Sequence, residues 1–174
     1  MQEAAVPAHD LTLYRKALGC FATGVAVVTT LAPDGAPVGL TVNSFSSVSL
    51  DPPLVLWSLR VQSGACEIFR QAKHFAVNLL ATDQQHLSRR FASRDGEKFE
   101  RLVVRSGLGG APLLPDCVAS FECSTSNAYV EGDHVLFIGR VERFAVAPQA
   151  EPLIYCCGAY ATHNVGARLA GAAG

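Results

Sequence analysis

The 174-residue chain is short of charge: Asp, Glu, Lys and Arg make up 17 % of it, against about 25 % in an ordinary soluble domain. More of its surface than usual must therefore be apolar or covered by a partner. Its 14 basic and 15 acidic side chains leave a net charge of −1, so the basic excess that holds a protein on duplex nucleic acid is missing. No nucleic-acid partner is expected. No run approaches the ~20 apolar residues of a membrane span; the longest, such as Leu54-Val55-Leu56-Trp57, are strand-sized. The first ten residues carry no basic stretch leading into an apolar one, so no secretory signal is read there. A cytoplasmic protein with no membrane partner is the expectation. None of the six cysteines falls in a C-x-x-C pair, which weighs against zinc and thioredoxin chemistry. Most of the cysteines are expected to be buried, reduced, small apolar residues. The five histidines are too dispersed for a metal set. The patterns G-x-G-x-x-G, G-x-x-x-x-G-K-[ST] and G-x-S-x-G are all absent, which removes a Rossmann site, a Walker loop and a hydrolase elbow.

What is present is 49 % apolar residues, enough for one domain with a real core. Residues 1–10 read as an extension, 11–165 as the domain and 166–174 as a flexible Gly/Ala tail. Asp10 is placed to cap a helix carrying Leu11, Tyr14, Leu18 and Phe21 on one face. Val25 to Leu31 is β-branched and strand-like, Pro33-Asp34-Gly35 is a turn, and Pro37 to Val42 returns as a hairpin. Leu54 to Leu59 and His74 to Leu80 read as buried strands, with a short helix after Ser63 between them. A second helix carries Leu87 and Phe91 at i, i+4. Residues 93–117 form a long Gly- and Pro-rich loop of the kind that often covers a site. Val118 to Val130 and Val135 to Val141 are strands joined by a turn at Gly132-Asp133. The strands are apolar on both faces, which suits an antiparallel barrel with peripheral helices or a second subunit on its outer face.

Three stretches could carry chemistry. In Gly39 to Ser49, seven of eleven residues are Gly, Thr, Asn or Ser. Such a run offers hydroxyls, an amide and free N–H groups to a polar heteroaromatic ring and a phosphate, or else a Ser-rich turn that satisfies its own backbone. Gly132-Asp133-His134 places an imidazole at a strand mouth, where it can bind a ligand or simply be structural. In Pro152 to Tyr160, Tyr155 and Tyr160 flank a Gly turn and suit either stacking on a flat ligand or packing. Cys156 and Cys157 are adjacent, and in a strand they would point to opposite faces.

Taken in order, these stretches resemble the short-chain flavin reductase family, the reductase components of two-component flavin-dependent monooxygenases. The matching pieces are Phe21 to Thr30, Gly39 to Ser49, Pro53 to Leu56, Phe75 to Leu80, Gln84 to Ala92, Lys98-Phe99, Gly132 to Val141, and Pro152 to Tyr155 with Gly158 and Tyr160. They span residues 11 to 160. The resemblance implies a mainly β fold, an antiparallel FMN-binding split barrel with a few peripheral α-helices. It implies a homodimeric NAD(P)H:flavin oxidoreductase that takes hydride from NADH or NADPH to FMN or FAD. The reduced flavin then goes to a separate oxygenase component.

By the same resemblance, Thr41, Val42, Asn43 and Ser44 contact the isoalloxazine edge, with Ser47, Val48 and Ser49 beside it. Ser58, Leu59 and Ser63 hold the ribityl and phosphate, and Phe91 lies near the flavin. His134 contacts the nicotinamide and is the catalytic residue, with Tyr160 near the same pocket; no metal is implied. Two departures bear on the charged parts of the ligands. Arg60 is the only basic residue at positions 60–63, and Cys156-Cys157-Gly158-Ala159 stands where the family carries basic residues around the Gly. The absence of a basic phosphate cluster sets the chain apart from a pyridoxamine-phosphate-oxidase-like enzyme on the same barrel. A non-catalytic flavin- or haem-binding split-barrel module is the alternative from a different class.

Overall fold

The structure is a computed structural model and describes residues 11–94 and 97–162. In chain order the elements are α1 (Thr12–Gly19), β1 (Thr23–Gly24), β2 (Ala26–Leu31), β3 (Pro37–Val42), β4 (Ser46–Leu50), β5 (Pro53–Arg60) and α2 (Cys66–Gln71). There follow β6 (His74–Leu79), α3 (Gln85–Ala92), β7 (Arg105–Ser106), β8 (Pro112–Leu113), β9 (Ala119–Glu131), β10 (His134–Val146), β11 (Ile154–Cys156) and β12 (Ala159–Ala161). The main sheet is antiparallel, with seven strands in the order β3-β2-β6-β9-β10-β5-β4. A second sheet, β1-β11-β12, lies against its end, and β7 and β8 form a short pair.

The two edge strands of the main sheet, β3 and β4, are consecutive in the chain. Only Asn43, Ser44 and Phe45 join them. Val42 and Ser46 can thus be no more than roughly 14 Å apart at the chain's full reach. Seven strands laid flat would separate the edges by about 29 Å. The sheet must curl into a barrel, and the short corner is what forces it. The Ser44 hydroxyl pins that corner to β5: it donates to Ser58 O (3.1 Å) and accepts from Ser58 N (3.0 Å).

The β2–β3 hairpin turns where Pro33-Asp34-Gly35 predicts, with Gly35 at φ +82° and Ala36 N donating to Asp34 Oδ1 (3.0 Å). β2 is buried on both faces, which explains its unbroken apolar run. Ala26 and Val28 face the barrel interior, where Trp57 stacks on Phe137 at 4.5 Å and meets Phe69 and Phe75 edge-on. Val25 and Val27 face outward against Leu87 and Phe91 of α3. Asn78, near the end of β6, is fully buried and satisfied. Its Nδ2 donates to Val27 O (3.1 Å) and Thr29 Oγ1 (3.2 Å), and its Oδ1 accepts from Leu114 N (2.9 Å).

Four elements differ from the pattern in the sequence. Ser46–Leu50 is a strand rather than a turn; serine is a poor strand former, and pairing with β5 overrides it. The α1 helix forms, but none of its residues is buried: Leu11, Tyr14 and Leu18 are 39, 44 and 57 % exposed. The Asp10 cap lies outside the described residues, as do His9, His163 and the 166–174 tail. The 93–117 loop only begins at the candidate site; Ala111 and Leu113 instead pack under Ala76 on β6. The cysteines divide differently from the expectation. Cys66 and Cys123 are buried and Cys117 and Cys156 partly so, while Cys20 and Cys157 are exposed, because both lie where the short β1-β11-β12 sheet meets α1 with little packed over it.

Replacing Trp57 by Ala empties the centre of the barrel and is expected to cost about 3–5 kcal/mol. Urea unfolding followed by circular dichroism checks this; a loss under 1 kcal/mol contradicts the packing described.

Candidate active site

A groove runs along the outer side of β3. Its middle is a cavity of about 230 Å³ walled by Thr41, Asn43, Ser88, Ala92, Tyr155 and Tyr160. Asn43 and Tyr155 continue into a cavity of about 890 Å³ under α1, and Thr41 and Ala92 into one of about 880 Å³ beside the β5–α2 turn. Each wall group is held by its own contacts. Thr41 Oγ1 donates to Ser88 O (2.7 Å), and Ser88 Oγ shares a hydrogen bond with the Tyr160 hydroxyl (2.9 Å). Tyr160 packs edge-on to Tyr155 at 5.5 Å, and the Arg89 guanidinium sits 5.9 Å over its ring. Asn43 is exposed at the junction of two cavities, with its amide free of any partner among the described residues.

The charge of the groove is one-sided. Arg15 and Lys16 line one end and Arg60, Arg94 and Lys98 the other, and among the described residues none of those lining it is acidic. A chain with net charge −1 has thus gathered five cations along one cleft, which suits a ligand that is anionic at its ends and neutral and flat between. Lys98 also ties α3 to β3, with Nζ donating to Phe91 O (2.9 Å) and Gly39 O (3.3 Å). Burial lowers its pKa from the ordinary lysine value. The basic cluster that the sequence lacks at positions 60–63 is therefore assembled from three separate segments.

The residues expected to bind flavin are distributed unevenly. Thr41, Val42, Asn43, Leu59, Ser63, Phe91 and Tyr160 border the groove, although Val42, Leu59 and Phe91 are themselves buried. Ser44 and Ser58 form the corner clamp. Ser47, Val48 and Ser49 lie on the edge strand β4, outside the groove walls. His134 opens β10 directly opposite Arg60 on β5, so the two side chains leave the same face of the sheet. Arg15, Lys16 and Arg94 were not singled out by the sequence, and Lys98 only as part of the Lys98-Phe99 motif, with no role assigned; nothing in their spacing marks them as one cluster.

His134 Nδ1 lies 2.7 Å from Asp133 Oδ1. A carboxylate can only accept, so Nδ1 carries the proton and Nε2 is left free toward a ligand. The hydrogen bond from His134, its charge and that of Arg60 hold the Asp133 carboxyl below the usual carboxylate range. The pair therefore persists well below neutral pH and is lost only as acid protonates Asp133.

These features meet the known proteins at one point. The chain matches the family described as flavin reductase like domain over residues 18–163, and it belongs to that family. It is 46 % identical over 147 residues to "FMN reductase (NADH) SmoA" of Agrobacterium fabrum, covering 84 % of this chain and 83 % of that protein. It is 45 % identical over 148 residues to the reductase component of the flavin-dependent trigonelline monooxygenase of Acinetobacter baylyi, covering 85 % of this chain but only 47 % of that longer protein. The solved structure of the Streptomyces globisporus C-1027 NADH:FAD oxidoreductase SgcE6, in complex with NAD and FAD fragments, superposes with a TM-score of 0.88 at 33 % identity, covering 95 % of this chain and all of that one. The fold is the split barrel of the flavin reductases.

The imidazole tautomer is directly testable. Nitrogen-detected NMR above pH 7 is expected to show His134 protonated at Nδ1, and a dominant Nε2–H form contradicts the Asp133 contact.

Proposed function

We propose that this protein is an NAD(P)H:flavin oxidoreductase that supplies reduced flavin to a separate monooxygenase component. The observation that carries the reading is the groove: cations at both ends, a neutral amide and two tyrosines between, and no acidic group among the described residues of its walls. The polar set fits a flavin, with Arg60, Ser63, Arg94 and Lys98 available to its phosphate and the Asn43 amide to its ring edge, where the Thr41 hydroxyl, donating to Ser88 O, can accept. When bound, flavin accepts a hydride from the nicotinamide, and the two ring systems must come within about 3–3.5 Å. The chain contributes alignment. Tyr155 and Tyr160 form the flat wall, the Ser88–Tyr160 hydrogen bond fixes the ring of Tyr160, and the free Nε2 of His134 accepts from the carboxamide. No general base is needed, in keeping with the lack of any paired-carboxylate or triad pattern.

Ser47, Val48 and Ser49 belong to this reading as the ring's outer border along β4, and Ser44 and Ser58 as the clamp that positions them. A homodimer is part of the proposal as well. The uncovered α1 stripe, together with Val48, Leu50 (94 % exposed), Phe144 and Val146, is the apolar surface that the low charge content requires some partner to cover. The relatives named as NADH-dependent make NADH the first nucleotide to try, and relatives named as reductase components or subunits support a separate oxygenase. The cytoplasm, where nicotinamide nucleotides and reduced thiols coexist, is the matching location. Among the described residues no helix is long and apolar enough to cross a membrane.

The purified protein is expected to oxidise NADH, read at 340 nm, only when FMN or FAD is added. A bound flavin with no NADH-dependent rate supports the non-catalytic module instead. Asn43→Ala removes hydrogen bonds to the ring and is expected to weaken FMN binding about 3- to 10-fold; an unaltered fluorescence titration removes Asn43 from the site. His134→Ala is expected to raise the KM for NADH or lower kcat by about 10-fold with FMN affinity retained. Unchanged steady-state kinetics removes His134 from its assigned role.

A further inference from the structure

Adjacent cysteines in a strand point to opposite faces, yet Cys156 Sγ and Cys157 Sγ are 3.6 Å apart. The cause is the β11–β12 turn. β11 ends at Cys156, and Cys157 and Gly158 form the turn with φ +52° and +81°, a two-residue hairpin connection of the kind that takes positive φ at both positions. That bend swings the second side chain round to the side of the first. Cys157 N donates to Gly19 O (2.6 Å) at the end of α1, which holds the turn in place. Cys157 is exposed and lines the cavity under α1, one wall of the groove.

Two thiols at this spacing are not set up to bond to each other. Cα atoms across a trans peptide are about 3.8 Å apart, short of the roughly 4.4–6.8 Å of ordinary disulfides, so a direct bridge would be strained. An interposed atom relieves that. With bonds of about 2.3 Å to each sulfur, a bent arrangement spans roughly 3.4–3.8 Å, whereas a linear one spans about 4.6 Å. The observed 3.6 Å matches the bent case. Among the described residues no third or fourth metal-ligating side chain joins the pair, so the four protein ligands of a structural zinc site are not available. A pyramidal acceptor needs only two protein sulfurs, and the two thiols, already in contact through S–H···S, stand at a spacing that it can bridge.

We propose that Cys156 and Cys157 form a dithiol site for a monosubstituted trivalent arsenical, set in the wall of the groove. The step balances without any redox change. Two S–H bonds and the As–O linkage of an arsenoxide break, two As–S bonds form, and the oxygen leaves with both protons as water. The other thiols do not compete as a pair. Burial, with Asp116 nearby for one and Glu142 and Glu122 for the other, pushes Cys117 and Cys123 up to about 12, and Cys66 is buried. The proposal stands independently of flavin reduction, because its readout is a covalent adduct.

The test treats the reduced full-length protein with one equivalent of phenylarsine oxide, followed by intact mass and thiol titration. The expected result is one phenylarsenic group per chain and the loss of two titratable thiols, reversed by 2,3-dimercaptopropanol but not by an equal concentration of a monothiol. Cys156→Ser and Cys157→Ser are each expected to lose the stable adduct, and Cys20→Ser to keep it. No adduct on the natural protein overturns the proposal. So does an adduct that survives either serine substitution at the turn, or one that Cys20→Ser abolishes.

Discussion

The structure depends on the three residues between Val42 and Ser46. They connect the opposite edges of a seven-stranded sheet, so the sheet has no flat alternative. Closure brings the inner faces of β2, β5, β6 and β10 together around Trp57 and Phe137, and it sets the outer side of β3 beside α3 and the β5–α2 turn. The core and the groove are therefore two results of one connection. The serine that pins the corner belongs to the same Gly/Ser/Thr/Asn run that borders the ligand cleft. A run of small polar residues can serve both ends because its hydroxyls bond to backbone as readily as to a ligand.

The groove divides its labour by charge. Its cations stand at the ends, where phosphates would lie, and its centre is neutral. This arrangement suits moderate affinity: exposed cations contribute attraction that salt screens, and a neutral ring site adds a few modest hydrogen bonds. The hydride step asks only for alignment, which fits a His134 that is oriented by Asp133 rather than coupled to a nucleophile.

The surface has two kinds of unfinished business. One is apolar: Leu18 on α1, Phe144 and Val146 at the outer end of β10, and Val48 and Leu50 on the β4 edge are exposed among the described residues, in keeping with the low charge content. The other is the dithiol turn, where Cys156 and Cys157 stand beside Gly158. The end of the groove under α1 takes its positive charge from Arg15 and Lys16 on the helix, a different element from the turn.

By itself the sequence determined the mainly β fold, the β2–β3 and β9–β10 hairpins, the position of α3 and the family, because alternating apolar residues, turn chemistry at Pro33-Asp34-Gly35 and Gly132-Asp133, and the order of short motifs are all local. The resemblance also named Thr41, Asn43, Ser63 and Tyr160, which border the groove. Only the tertiary structure decided the rest. Ser46–Leu50 became a strand because β5 offered it a ladder against its own propensity. Arg15, Lys16, Arg60, Arg94 and Lys98 became one electropositive cleft because barrel closure brought distant segments together. Cys156 and Cys157 came to face the same way because the backbone turns through positive φ between them. Each of these depends on contacts between residues far apart in the chain or on a single backbone angle, and neither leaves a periodic trace in the order of amino acids.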